Sequence, residues 1–138
     1  PPPSFQAEDG IRDALVGLVG SEMCIRDSID AEQLDTIRTA VTQVHASDNL
    51  LDYLQRMVAY TRESAEFAVG LSPRGALALL DCARTWAVMH SRGHVVPEDL
   101  QMVLPAVASH RLVPAGDYAG DGDALVALLQ RNVDVIGP

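Results

Sequence analysis

Residues 70–75 of the chain read Gly-Leu-Ser-Pro-Arg-Gly and contain the side chains best placed to do chemistry. Ser72 and Pro73 are typical of the N-cap and first turn of a helix, so this stretch predicts the start of a helix. The free N–H groups and the dipole make that end of a helix positive, which disfavours a cation there. Arg74 departs from this rule, and its position becomes favourable when an anion such as a phosphate binds beside it.

Arg74 and its neighbour Gly75 also have structural interpretations. Arg74 could pair with a nearby carboxylate such as that of Glu66 and bind no ligand. Gly75 would allow a ligand or another backbone segment to approach closely. On the residue types alone, a phosphate contact and a structural ion pair both stay open for Arg74.

Four other residues could bind or react, but their surroundings favour structural roles. His90 and His94 have the spacing of metal ligands on a helix, yet Gly93 is expected to end the helix between them, and no third ligand is apparent. Cys82 lies among apolar residues of a predicted helix, which favours an inert core thiol over a nucleophile. Trp86 on the same helix is most simply a core side chain. We therefore predict no metal site.

The basic residues exclude two kinds of function. Ten basic residues stand against nineteen carboxylates, for a formal net charge of −9 at pH 7. Such a surface repels nucleic-acid backbones, and no basic run reverses its sign, so we expect no nucleic-acid partner. All ten basic residues are arginine. The P-loop of an NTPase needs a lysine that reaches the β- and γ-phosphates, so this chain carries no P-loop.

Cysteine usage and hydropathy bear on the compartment. The two cysteines, Cys24 and Cys82, are far apart and lie in apolar surroundings, which fits a reducing compartment better than a disulfide framework. The N-terminus shows no basic segment followed by an apolar core, and no apolar run approaches the roughly 18 residues that span a bilayer. We therefore expect a cytoplasmic protein without a membrane partner.

The first 28 residues differ in character from the rest of the chain. They contain the tripeptide Ile-Arg-Asp twice, at 11–13 and 25–27, with a glycine-broken apolar stretch between. This stretch resembles the conceptual translation of sequencing-adapter DNA, which implies a non-native or disordered segment at 1–28. A native amphipathic helix stays the alternative, because Ile11, Leu15 and Leu18 fall on one helical face. The domain proper is then expected at 29–138.

Hydrophobic periodicity over residues 29–138 predicts a helical bundle. Apolar residues make up 48% of the chain and aromatics only 4%, which favours close-packed helices over a sheet sandwich. Helices are expected from Asp30 to about Val44, from Ser47 to about Glu63, from Ser72 to Gly93, from Pro97 up to Pro105, from Pro105 to about Ser109 as a second short piece, and from Asp123 onwards. A short extended segment is expected at 94–96, and Pro105 should break or kink the fourth helix. The fold class is therefore all-α.

Three stretches of the chain resemble the lid of MoxR-type AAA+ ATPases. GLSPRG at 70–75 resembles the second-sensor motif of that family, and DYLQRMVAYTRES at 52–64 resembles the helix before it. Residues 74–112 resemble the long central helix and the elements that follow, through the closing HRL. The resemblance covers about residues 28–138 and implies a four-helix AAA+ lid bundle preceded by a linker helix. It also implies that Arg74 is the second-sensor arginine, in a turn with Ser72, Pro73 and Gly75 that binds a nucleotide phosphate.

The same resemblance implies the activity and the partners of the whole protein. The full-length protein would bind ATP with Mg and couple its hydrolysis to chaperone-like remodelling of protein complexes. The fragment alone would bind no cofactor and have no turnover, because the catalytic residues would lie in a preceding α/β subdomain. Neighbouring subunits of a ring, often a hexamer, and a von Willebrand factor A-domain protein are the other implied partners.

Alternatives to this assignment stay open. The magnesium-chelatase subunit shares the lid architecture, so a relative of that kind fits the same motifs. The chain could instead be an autonomous helical protein-interaction module without nucleotide binding, with Arg74 in a structural role. A helix-turn-helix DNA-binding domain is disfavoured by the charge and by the third helix, which is apolar on nearly every side and leaves no polar face to read bases.

Overall fold

The computed structural model describes residues 29–116 and 120–137 of the chain. Within these ranges the helices are α1 (Ala31–Gln43), α2 (Asp48–Glu63), α3 (Pro73–Met89), α4 (Pro97–Ala108) and α5 (Gly122–Asn132). Two short strands, β1 (Phe67–Val69) and β2 (Val113–Pro114), form an antiparallel sheet. None of the described helices has the length and apolar character of a membrane span. The all-α fold class is confirmed, and the predicted non-native or disordered segment at 1–28 lies outside the described residues.

The chain divides into two compact units after Ile37, within α1. In the described part of the first unit, residues 29–37, Asp30 Oδ1 accepts the Gln33 N–H at 2.7 Å, and Gln33 Oε1 accepts the Asp30 N–H at 3.1 Å. These reciprocal bonds cap the start of α1. Leu34 and Ile37 are 41% and 39% exposed, and no residue of α1 is buried. The predicted linker helix therefore exists, but its apolar residues do not form a core.

Residues 38–138 form the second unit, a bundle built from α2, α3, α4 and α5. All four helices contribute to one apolar cluster, and α3 with α4 forms the most extensive pair. The largest completely buried apolar side chains are Tyr53, Met57, Leu71, Leu79, Leu100, Leu104, Leu125 and Leu129. Burial of such side chains is the main favourable term in folding. The four-helix bundle predicted from the sequence is confirmed.

α3 is less completely covered than its sequence suggests. One face of the helix is buried in the bundle, whereas Leu77 and Met89 elsewhere on its surface are 64% and 70% exposed. Cys82 is exposed as well, so the interpretation of its thiol as a core group is wrong. Trp86 is half-buried and stacks against His90, with 4.8 Å between the ring centroids. Periodicity alone could not show which sides of this apolar helix have a neighbour.

α4 continues through Pro105 as one helix, so the expectation of a separate second piece after Pro105 is wrong. A proline within a helix has no N–H to donate to the carbonyl oxygen four residues earlier, which here belongs to Gln101. Gln130 of α5 donates its Nε2 to that carbonyl oxygen at 2.9 Å. A side chain from a neighbouring helix thus replaces the missing backbone bond, and α4 keeps its length of 12 residues.

The strands occupy connections between the predicted helices. β1 and β2 are antiparallel, with the pairs Phe67–Pro114 and Val69–Val113. The predicted extended segment at 94–96 contains an isolated parallel bridge between His94 and His45. Strands of two or three residues are too short to show an alternating pattern, so the sequence carries little signal for them.

Candidate functional site

β1 leads into the turn that starts α3, where the sequence analysis places the candidate phosphate site. Ser72 is the N-cap: its backbone is extended, with φ −75° and ψ 160°, and its Oγ accepts the Gly75 N–H at 3.1 Å. Its carbonyl oxygen accepts the Ala76 N–H at 2.9 Å, which begins the helical bonding. Pro73 follows at the start of the helix, where its missing N–H costs nothing. The predicted helix start is confirmed.

The two glycines of the turn make room for close packing around Leu71, whose side chain is buried. A Cβ at Gly70 would lie 2.3 Å from the carbonyl oxygen of Thr61, so a larger residue would push the turn away from α2. A Cβ at Gly75 would lie 2.9 Å from Cδ1 of Leu71. The missing side chain of Gly75 therefore serves packing within the chain, and a phosphate contact at this residue stays a prediction.

Two consecutive residues of α2 hold the backbone of Leu71. Thr61 is completely buried, and its Oγ1 accepts the Leu71 N–H at 3.0 Å. Arg62 donates its Nε to the Leu71 carbonyl oxygen at 3.1 Å. Sequence reasoning missed both residues, because they lie within a helix and meet the turn only through the tertiary fold. The glycine at position 70 is the one local signal of this close approach.

Arg74 lies in the first turn of α3 and is exposed. Within residues 29–116 and 120–137 its side chain forms no hydrogen bond and no ion pair, so the pairing with Glu66 considered above is absent there. Its backbone N–H also has no acceptor in the same ranges, whereas the Gly75 N–H is bound by Ser72. The guanidinium group and the backbone N–H of one residue are thus available together at the positive end of a helix dipole, an arrangement that suits an anion.

An open groove of about 570 Å³ lies beside this turn, between α2 and the first half of α3. Most of its lining is apolar, and Pro73 and Leu77 belong to it. Leu77 is 64% exposed, which is unusual for a leucine in a bundle helix. It follows Arg74 by three residues and therefore lies on the same side of α3. The free guanidinium and the uncovered apolar surface thus share one side of this helix.

A second group of charged residues, at the connection between α3 and α4, has a different character. Arg92 donates both terminal nitrogens to the Asp99 carboxylate, each at 2.6 Å, and the Val96 N–H donates to Asp99 Oδ2 at 2.9 Å. The Asp99 side chain is buried. The bonds from Arg92 outweigh the effect of burial and hold the pKa of Asp99 below its usual value. We interpret this bidentate pair as a structural bond, because each charge already has its partner.

The two histidines considered as metal ligands have separate roles in the same connection. His90 is the C-cap of α3, and its Nδ1 lies 2.8 Å from the carbonyl oxygen of Trp86. His94 lies in the bridge with His45. In the part of the chain that the structure describes, no group of three or more side chains could hold a metal ion.

One protein family matches this region of the chain. The AAA lid domain family matches residues 59–130, which is just over half of the chain. The matched region begins within α2, includes the turn at 70–75 and ends within α5. The match therefore contains the free Arg74 and the residues of α2 that hold Leu71.

Proteins and a solved structure that are similar to the chain are much longer than it. The uncharacterised protein YeaC of Bacillus subtilis is 31% identical over 110 residues, which cover 78% of this chain and 34% of YeaC. Chaperone MoxR1 of Mycobacterium tuberculosis is 36% identical over 96 residues, which cover 63% of this chain and 26% of MoxR1. A crystal structure of a candidate ATPase from Cytophaga hutchinsonii has the same fold, with a TM-score of 0.70 at 22% identity, and the match covers 77% of this chain and 36% of that one. The chain thus spans about a quarter to a third of the length of the curated relatives.

Proposed function

Because the chain belongs to the AAA lid domain family, we propose that residues 29–138 are the helical lid subdomain of a MoxR-type AAA+ ATPase. The similarity to chaperone MoxR1 supports this assignment over the magnesium-chelatase alternative. The whole protein would bind and hydrolyse ATP in the cytoplasm and couple this reaction to chaperone-like remodelling of protein complexes. In the same proposal, the segment at 1–28 is foreign to the domain.

The observation that carries the proposal is the free Arg74 at the start of α3. Its guanidinium is exposed and has no partner in the described part of the chain. A nucleotide phosphate beside it would gain a charge-assisted hydrogen bond and a favourable interaction with the helix dipole. We assign Arg74 the role of second-sensor arginine, with Ser72, Pro73 and Gly75 forming the turn that presents it to the phosphate.

The rest of the nucleotide site would belong to an α/β subdomain outside this chain. The chain contains no lysine and therefore no P-loop. That subdomain would bind ATP together with Mg. The ATP would supply the phosphoryl group that is transferred to water. Arg74 would contact this group from the lid, and the lid would couple the state of the nucleotide to a rotation between the two subdomains.

The apolar groove beside Arg74 is consistent with such a partner. An α/β subdomain that brought ATP to Arg74 would also cover the side of α3 that exposes Leu77. Burial of this surface would add a hydrophobic contribution to the contact between the subdomains. Neighbouring subunits of a ring, as in a hexamer, and a von Willebrand factor A-domain protein complete the set of proposed partners.

Replacing Arg74 with Ala in the full-length protein tests the proposed function. Loss of a positioned donor to a developing phosphoryl charge should lower the rate of ATP hydrolysis on the order of 10²-fold. Steady-state phosphate release measures this rate. Arg131→Ala is the matched control, because Arg131 is also an exposed helical arginine but lies at the far end of α5. Unchanged hydrolysis in Arg74→Ala would refute the role assigned to Arg74.

An autonomous protein-interaction module without nucleotide binding is the second candidate function. The exposed apolar groove between α2 and α3 favours it, since grooves of this kind bind apolar helices. It gives Arg74 no role that the structure explains, because the guanidinium has no partner in the described residues. This candidate predicts that the full-length protein has no ATP hydrolysis, with or without Arg74.

A further inference from the structure

We propose that Thr61 and Arg62 are positioning residues that set the place of Arg74 relative to α2. The inference rests on the function proposed for Arg74 and adds two residues that act on it indirectly. They are joined to the turn at 70–75 by hydrogen bonds to the backbone of Leu71. We call these two bonds the Leu71 latch.

The Leu71 latch holds both polar groups of one residue's backbone. The Leu71 N–H donates to Thr61 Oγ1 at 3.0 Å, and the Leu71 carbonyl oxygen accepts from Arg62 Nε at 3.1 Å. Leu71 immediately precedes the N-cap Ser72, so the latch fixes the last peptide units before α3. The first turn of α3, and with it Arg74, is therefore tied to the C-terminal end of α2.

The Thr61 bond of the latch is buried, which makes other positions of the turn unfavourable, whereas Arg62 is exposed and its bond is only partly buried. Thr61 and Leu71 are 0% and 1% exposed. The backbone at Gly70 lies so close to α2 that a Cβ there would be 2.3 Å from the Thr61 carbonyl oxygen. A buried N–H that loses its acceptor costs the full desolvation of that group, since water cannot replace the partner. The turn is thus held in one position on α2.

Thr61 uses its hydroxyl twice, which distinguishes it from an ordinary helical threonine. Its Oγ1 donates to the Val58 carbonyl oxygen at 2.8 Å and also accepts the Leu71 N–H. Thr85 on α3 donates to the Asp81 carbonyl oxygen at 2.8 Å, but it is exposed and accepts no hydrogen bond in the described part of the chain. Thr85→Val is therefore a matched control for Thr61→Val, and Thr61→Ser keeps the hydroxyl at the latch.

Amide hydrogen exchange of the 138-residue chain tests the latch without nucleotide. Thr61→Val should speed exchange at Leu71 and Gly75 about tenfold or more relative to Leu104, a core amide of α4 that reports global unfolding. The ratio of the exchange rates at Leu71 and Gly75 to the rate at Leu104 should stay at the wild-type value in Thr61→Ser and in Thr85→Val. A wild-type ratio in Thr61→Val would overturn the inference, even if that variant is less stable overall.

ATP hydrolysis by the full-length protein tests whether the latch acts through Arg74. Thr61→Val should lower kcat several-fold in the wild-type background and have little further effect when Arg74 is already Ala, because both changes then remove the same contact. Thr61→Ser should restore the wild-type rate. An equal loss in both backgrounds would overturn the inference. If Arg74→Ala alone leaves hydrolysis unchanged, the proposed function fails, and the exchange ratio still decides whether the latch exists.

Discussion

Arg74 and Arg92 differ in whether their charge already has a partner within the described residues. Arg92 forms a bidentate pair with the buried Asp99, so its charge is already used. Arg74 has no partner in the described residues and lies where a helix dipole disfavours a cation. Of these two arginines, only Arg74 is therefore free to bind an anion, and Arg92 should act on stability alone.

The Arg92–Asp99 pair should make stability depend on pH. The native pKa of Asp99 is lowered, mainly by its bonds to Arg92, so the pair contributes fully above the ordinary carboxyl pKa of about 3.9. The contribution is lost as the pH falls through the lower native pKa. Asp99→Asn should lower the free energy of unfolding at pH 7 by about 1–3 kcal/mol, as measured by urea denaturation. The difference from wild type should shrink below about pH 4.

Asp52→Asn is the control for this measurement, because Asp52 is exposed on α2. Its effect on the free energy of unfolding should be within about 0.5 kcal/mol at every pH. A difference between Asp99→Asn and wild type that stays constant from pH 7 to pH 3 would show that the carboxylate charge does not stabilise the fold.

At the scale of the elements, α4 depends on α5 for its continuity. Pro105 leaves the Gln101 carbonyl oxygen without its helical donor, and Gln130 supplies the replacement. Gln130→Met should therefore lower the free energy of unfolding by about 0.5–1.5 kcal/mol. In a Pro105→Ala background the N–H of residue 105 can donate to the Gln101 carbonyl oxygen. Gln130→Met should therefore lower the free energy of unfolding by less in that background. Urea denaturation of the four proteins gives the coupling, and equal costs in both backgrounds would contradict this account.

The sequence predicts those elements whose signals are local. The starts of α2 and α3 follow from Ser47 and Ser72, whose hydroxyls accept bonds from N–H groups three residues later. The continuity of α4 through Pro105 could not be predicted, because the compensating donor on Gln130 is 29 residues from its acceptor Gln101. The exposure of Cys82 was missed for a similar reason, since an apolar helix does not reveal which of its sides has a neighbour.

The residues of the candidate site also differ in whether a local sequence signal reveals them. Arg74 is found from the sequence because it breaks a rule that concerns only the first turn of its own helix. Thr61 and Arg62 are not found, because their bonds to Leu71 exist only after β1 returns the chain to α2. Gly70 is a partial signal of this contact, since a glycine before a cap permits a close approach without naming its partner.

At the scale of the whole molecule, the chain spans only part of the length of its curated relatives. It covers 34% of YeaC and 26% of MoxR1. One side of α3 combines the free Arg74 with the exposed Leu77 and an apolar groove. This combination suits an anion and an apolar protein surface that bind next to each other. In the proposed function, an ATP-bound α/β subdomain would bring a phosphate and an apolar face together at this side.

The DNA sequence upstream of the codon for residue 29, read in the native gene, tests the central claim most directly. If the chain is the lid of an AAA+ ATPase, the same reading frame should encode a P-loop of the form GxxxxGK[ST] within roughly 250 residues before it, the length of a domain or two. An uninterrupted frame of that length without a P-loop would contradict the claim.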